Sequence, residues 1–327
     1  MEQNLWIGSY AECGTHQLLF TNGNISEQKD DNTFENCSYL CKNNHILYSI
    51  IEYSNNPIYQ NGYIIARNED FSVINSSPLC GQGPCYLTID TKRNLLYVAN
   101  YGDGSLDCFS LRNDGSIEKC ILHKTYTDHS RIHYLSLSMD NDFLFVVDLG
   151  DDTIFAYQIL YSFENLELKE MDTFSFSKGS APRHITIREN MIYLITENSC
   201  ELYQLSFTTQ NGFKIISKAS LLPSTLKKDK DTTGCAIKIS KDLKFIYTSI
   251  RGHNCISVFQ IIPHLKLIQN ISCIGITPRD IYIDDSQNFL LCANQHSEDI
   301  SIFRRDKKTG YLNFLNKYPI DSPACII

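Results

Sequence analysis

A chain of 327 residues, 43% hydrophobic and 11% aromatic, can bury a large core, and its length admits either two domains or one closed ring. A net charge of −8 excludes nucleic acid as a partner, because phosphate backbones demand a basic stripe. No run reaches the roughly 20 apolar residues of a membrane span, and Met1-Glu2-Gln3-Asn4 lacks a basic leader start, so the expected location is the cytoplasm, with no membrane partner.

In chain order, an apolar-aromatic strand core returns seven times: Leu5 to Tyr10, Leu47 to Glu52, Leu96 to Tyr101, Leu144 to Leu149, Ile192 to Glu197, Ile246 to Arg251 and Leu290 to Gln295. Counted at the second residue of each core, the steps are 42, 49, 48, 48, 54 and 44 residues. An all-strand repeat of that length predicts the blades of a β-propeller. No unit can bury both faces of its own sheet, so the units must pack around an axis.

Within a unit, Ala181 to Ile187 alternates as an inner strand, and Met191 to Glu197 is the second. Glu201 to Phe207 is the third, and Phe213 to Ala219 follows the Gln210-Asn211-Gly212 turn as the fourth. Met1 leads almost directly into a second-strand pattern, whereas Ser322 to Ile327 reads as an inner strand with nothing after it. The two ends are therefore expected to complete one blade. The resulting fold class is an all-β, seven-bladed propeller with four antiparallel strands per blade, a single domain over residues 1–327 closed by its terminal strands.

Thirteen cysteines lie mostly on strands with no CxxC pair, which favours reduced thiols over disulfides or zinc. No metal site and no cofactor are expected. The run Lys227-Lys228-Asp229-Lys230-Asp231 is mixed in sign and reads as the loop behind the longest repeat step. The chain has no Gly-x-Ser-x-Gly elbow, no His-Glu-x-x-His and no phosphate-cradling glycine loop.

Five groups of segments recur at blade spacing: Gly83-Pro84-Cys85-Tyr86-Leu87-Thr88-Ile89-Asp90 with Leu96 to Ser105, Phe143 to Asp152, Ala181-Pro182-Arg183-His184, Ile250 to Asn254 with Ile256 to Phe259, and Pro278-Arg279-Asp280 with Cys292 to Gln295. As a set they resemble the seven-bladed lactonase family. The resemblance spans roughly residues 36–327. It implies a hydrolase that opens a sugar lactone, 6-phosphogluconolactone first among them, with a small anionic sugar lactone as the partner molecule. A muconate-type cycloisomerase and a non-catalytic propeller that binds a metabolite or protein stand as alternatives.

Charged residues at the start of an inner strand either line the channel mouth or must be paired. His133 and Arg183 occupy such starts, and Glu197 and Arg251 end second strands. By resemblance these four match a His-Arg-Glu-Arg catalytic set. An arginine can clamp an anion or steady an oxyanion, and a His or Glu can take a proton from water. The same residues could instead make inter-blade hydrogen bonds. Arg279 repeats the Pro-Arg pattern as a second anion clamp or an interface residue, and Tyr86 is a further substrate-binding candidate. The family pattern carries a His at the position of Tyr86 and a Glu where the blade-six register gives Ala236. His184 is expected to be buried and hydrogen-bonded, His253 to sit in a turn, and Asp148, Asn100, Asn294 and Gln295 mostly to cap loops.

Overall fold

The computed structural model describes residues 2–52, 60–163 and 165–327. These form seven four-stranded antiparallel sheets. From blade 2 to blade 7 the inner and second strands are Tyr39–Asn43 and Ile46–Ile51, Pro84–Asp90 and Leu95–Asn100, Ile132–Leu137 and Phe143–Asp148, Pro182–Arg188 and Met191–Thr196, Thr233–Ile239 and Phe245–Arg251, and Pro278–Ile283 and Phe289–Asn294. Blade 1 is built from both chain ends, Pro323–Ile326 lying beside Glu2–Ser9. Ile7 pairs with Ile326 and Gly8 with Cys325, while Trp6 and Ile327 exchange backbone hydrogen bonds of 3.0 Å in both directions. Every sheet therefore finds a neighbour on each side, and the ring has no open end.

The apolar residues that alternate along the strands meet between blades, not within them. Phe145, Val147 and Ile154 of blade 4 pack on Ile185, Leu194 and Phe207 of blade 5. Leu5, Ile7 and Leu18 of blade 1 pack on Leu291, Ile300 and Ile302 of blade 7, which closes the circle hydrophobically. Each such fully buried side chain contributes about 1.5–3 kcal/mol, so the seams, not the sheets, hold the ring.

One irregularity recurs and fixes the site. At the start of the inner strand the pairing register slips between Pro84 and Tyr86, Ile132 and Tyr134, Pro182 and His184, Gly234 and Ile237, and Pro278 and Asp280. Each slip is a β-bulge, which leaves one residue unpaired and re-aims its side chain. The residues between those anchors are Cys85, His133, Arg183, Cys235 with Ala236, and Arg279. Just ahead of three of the bulges, Gly83, Ala181 and Thr277 take positive φ of 60°, 56° and 61°, each before a proline. Proline disfavours the helical conformation in the residue before it. The carbonyls so turned accept the amides of Tyr101 at 2.9 Å, Glu197 at 2.6 Å and Gln295 at 2.9 Å. Inner-strand start and second-strand end are thus locked together in the same way in three blades. Asp152 adds to this in blade 5, its carboxylate accepting from the Gly179 and Ala181 amides at 2.6 Å each.

Candidate active site at the channel mouth

The bulges bring His133, Arg183 and Arg279, and the second-strand ends bring Glu197 and Arg251, to one cavity of about 300 Å³ at the mouth of the channel. Arg183 Nε donates to Glu197 Oε2 at 2.9 Å, and Arg251 Nη2 lies 2.8 Å from the same oxygen. Glu197 therefore ties two guanidinium groups from adjacent blades, and Oε1 takes part in neither bond. Arg183 is buried, and its Nη1 also donates to the Cys235 carbonyl and to His184 Nε2, the latter at 3.0 Å. On the other side, Arg279 Nη2 donates to the Tyr10 hydroxyl at 2.8 Å, and that hydroxyl donates to Glu52 Oε1 at 2.5 Å. Burial pushes the Tyr10 phenol well up, beyond the opposing influence of Arg279. It remains a neutral hydrogen-bond donor.

His133 faces this set with its ring edge-on to Tyr101, at 5.8 Å between centroids. Burial, followed by the charges of Arg183, Arg279 and Arg251, holds its imidazole well below the usual histidine range. Its Nδ1 is buried without a hydrogen-bond partner. The ring is accordingly neutral near pH 7 and has a nitrogen uncommitted to the protein. Three guanidiniums stand against two carboxylates around the cavity, an excess of positive charge in a chain whose net charge is −8.

Tyr86 is not part of the mouth. It follows the bulge residue Cys85 and belongs to a second layer beneath, in which Tyr39, Tyr86, Tyr134 and His184 stack with successive centroid distances of 4.5, 3.9 and 4.5 Å. Tyr86, expected among the substrate-binding residues, does not line this cavity; the bulge sets Cys85 there instead. Ala236 has the same place in blade 6, one residue beyond Cys235, and is fully buried beside Phe245, Tyr247 and Ile256. Both departures from the family pattern thus fall below the mouth, among stacked rings and apolar side chains.

His184 is buried and hydrogen-bonded, and burial followed by Arg183 lowers its pKa well below the usual range. His253 sits in a turn, its Nε2 lying 2.9 Å from the Lys227 carbonyl. Asp148 Oδ1 accepts the amides of Arg131, Gly150 and Asp151, while Asn100 and Asn294 bond Ser105 and Ser301, so all three hold loops. The residues missed by sequence reasoning are Tyr10, Glu52, Cys85 and Tyr101. Glu52 follows the second strand of blade 2 as Glu197 follows that of blade 5, a shared register that could have pointed to it.

A closed seven-bladed ring with charged groups gathered at one channel mouth defines a propeller whose site is shared among blades. The family model described as a seven-bladed β-propeller lactonase matches residues 4–327. The 6-phosphogluconolactonase of Bacillus subtilis is 28% identical, covering 98% of this chain and 97% of its own length. That of Formosa agariphila is 32% identical over 95% of each chain. A solved structure of a protein from Lactobacillus plantarum superposes with a TM-score of 0.89 at 26% identity, covering 100% of this chain and 99% of its own. The chain belongs to the lactonase family of seven-bladed β-propellers.

Proposed function

We propose that the channel mouth hydrolyses a sugar lactone and that the substrate is 6-phosphogluconolactone. The observation that carries this is the convergence of His133, kept neutral by burial and its arginine neighbours, with three guanidinium groups in one small cavity. Relatives named 6-phosphogluconolactonase at 28% and 32% identity support the choice of substrate. His133 takes a proton from water as the water oxygen bonds to the lactone carbonyl carbon. Arg183 and Arg251, held in place by Glu197, stabilise the oxyanion that forms. The tetrahedral intermediate collapses by breaking the ring C–O bond, and the imidazolium returns its proton to the departing alkoxide. The product is the open hydroxy acid. Arg279, steadied by Tyr10, binds the phosphate.

Bound phosphate has a second effect. Its negative charge offsets the arginines that depress the His133 pKa, so the base strengthens once substrate arrives. The thirteen free thiols suit a reducing compartment such as the cytoplasm. Among the described residues no helix is long and apolar enough to cross a membrane.

Initial rates on phosphorylated gluconolactone, plain gluconolactone and a carboxymuconolactone test the assignment. One charge-assisted phosphate contact, at about 1.5–3 kcal/mol, should favour the phosphorylated lactone by roughly 10–100-fold in kcat/KM. Equal rates on the two gluconolactones would remove the phosphate role from Arg279. Turnover of the muconolactone alone would make the protein a cycloisomerase.

A further inference from the structure

A second constellation lies on the rim of blade 1, in the turn after Glu2–Ser9 and on the two strands that follow it, Thr15–Thr21 and Asn24–Asp31. The strand register sets His16 opposite Asp30, and the turn folds Cys13 back over both. Cys13 Sγ is 3.4 Å from His16 Nδ1, and that nitrogen is 2.7 Å from Asp30 Oδ1. One donor atom from each of the three lies within 4.8 Å of the others. His16 is 2% exposed, and its Nε2 has no partner. The three residues share the wall of a cavity of about 670 Å³ with Glu12, Glu298 and Asp321, so the remaining side of the cluster opens onto further carboxylates.

We propose that Cys13 Sγ, His16 Nδ1 and the Asp30 carboxylate bind a divalent transition-metal cation of the zinc class, with its fourth position facing this cavity. A tetrahedral ion with bonds of about 2.3 Å to sulfur and about 2.0–2.2 Å to nitrogen and oxygen sets its ligands roughly 3.6 Å (S to N) and 3.3 Å (N to O) apart. The sulfur–nitrogen separation already fits. Only Asp30 must withdraw, by roughly half an ångström on that geometry, and its side chain is 41% exposed and has room to turn. Gln28 Nε2 donates to Asp30 Oδ1 at 2.6 Å and can follow it. A mixed thiolate, imidazole and carboxylate set selects against magnesium and calcium, which prefer oxygen alone. Burial and the nearby Asp30 push the Cys13 thiol up to about 11, so metal uptake releases its proton to solvent.

The site touches both ring closure and the mouth. Ser9 Oγ donates to the Asp321 carbonyl at 2.6 Å, and the Tyr10 amide donates to Ser322 O at 3.2 Å, so the turn carrying Cys13 begins at the seam of the two chain ends. Tyr10 is also the residue that steadies Arg279. A bound ion would brace this junction and raise the melting temperature with metal concentration.

Cobalt(II) titration of the reduced, chelator-treated full chain tests the proposal, with zinc as competitor. One equivalent should bind with a thiolate-to-cobalt absorption band, and zinc should displace it. The band should vanish in Cys13→Ser, and Asp30→Asn should bind on the order of 100-fold more weakly. Cys80→Ser, which alters a separate cluster with Asp107 and Cys120, should keep the band. Zinc should raise the melting temperature of the wild type but not of Cys13→Ser. Loss of the band in Cys80→Ser with retention in Cys13→Ser would overturn the assignment, as would the absence of stoichiometric binding at micromolar cobalt. Asp30→Asn, altered at an exposed side chain, carries the test if Cys13→Ser does not fold.

Discussion

Replacing His133 with asparagine separates the chemistry of the mouth from its architecture. The histidine is buried, yet its Nδ1 has no hydrogen bond to lose, and its ring contacts are with His184 at 5.2 Å and Tyr101 at 5.8 Å between centroids. The structural cost should therefore be packing alone, on the order of 1 kcal/mol. Loss of a positioned general base should lower kcat by about 10²–10⁴-fold, equivalent to about 2.7–5.4 kcal/mol of barrier. KM should change little, because Arg183, Arg251 and Arg279 remain. The pH profile adds a sharper readout. In the free protein, burial and the three arginines hold the imidazole below its usual range, so kcat/KM should persist to acid pH. With the anionic substrate bound, the pKa rises, and kcat should fall at higher pH than kcat/KM does. Steady-state rates from pH 4 to 8 on both forms, corrected for spontaneous lactone opening, would show these limbs in the wild type and not in the variant. A folded His133→Asn protein with kcat within about tenfold of wild type and an unchanged acid limb would refute the assignment of the base.

Glu197→Gln removes the charge shared by Arg183 and Arg251; two charge-assisted bonds at about 1.5–3 kcal/mol each, partly kept by the amide oxygen, give a net loss of about 2–3 kcal/mol by chemical denaturation. Its kcat should fall while KM holds or drops, since the mouth becomes more positive; a raised KM with unchanged kcat would reduce Glu197 to a substrate contact. Deleting residues 322–327 should expose the Glu2–Ser9 strand as an unpaired edge and cause aggregation, and a monodisperse truncated protein would contradict closure through that strand. Stability should fall as pH drops below about 6.5, because His133 and His184 stay neutral when folded but gain protons when unfolded, each adding about 1.4 kcal/mol per pH unit until its depressed folded pKa is reached. Denaturant midpoints at pH 7 and 5 measure this slope, and equal midpoints would remove the two buried neutral histidines from the account.

The blade count and ring closure were legible because a sheet repeat leaves a period in the sequence, and because each chain end lacks what the other supplies. The mouth was legible wherever polarity interrupts a strand end, as at Arg183, Glu197 and Arg251. What escaped was the exact phase of the inner strands. Alternation assigns Cys85 and Tyr86 to opposite faces but cannot locate a one-residue bulge, and the bulge decides which of the two meets solvent in the channel. The same slip sets the half-buried Tyr86 in the stacked second layer and the buried Ala236 in the seam with blade 7. Tyr10 was hidden for a different reason: its partner Arg279 lies six blades away in sequence and becomes its neighbour only when blade 7 closes on blade 1, and Glu52 joins them through Tyr10. Cys13, His16 and Asp30 likewise become neighbours through strand register, which no ligand-spacing motif records.

Catalysed opening of freshly prepared 6-phosphogluconolactone, followed against its spontaneous hydrolysis, reads the proposed lactonase activity itself. The wild type should accelerate opening in proportion to protein concentration. Arg183→Ala should lose both affinity and turnover, because that guanidinium serves the bound substrate and the oxyanion together. A folded wild-type protein that leaves both phosphorylated and plain gluconolactones at their spontaneous rates would contradict the account.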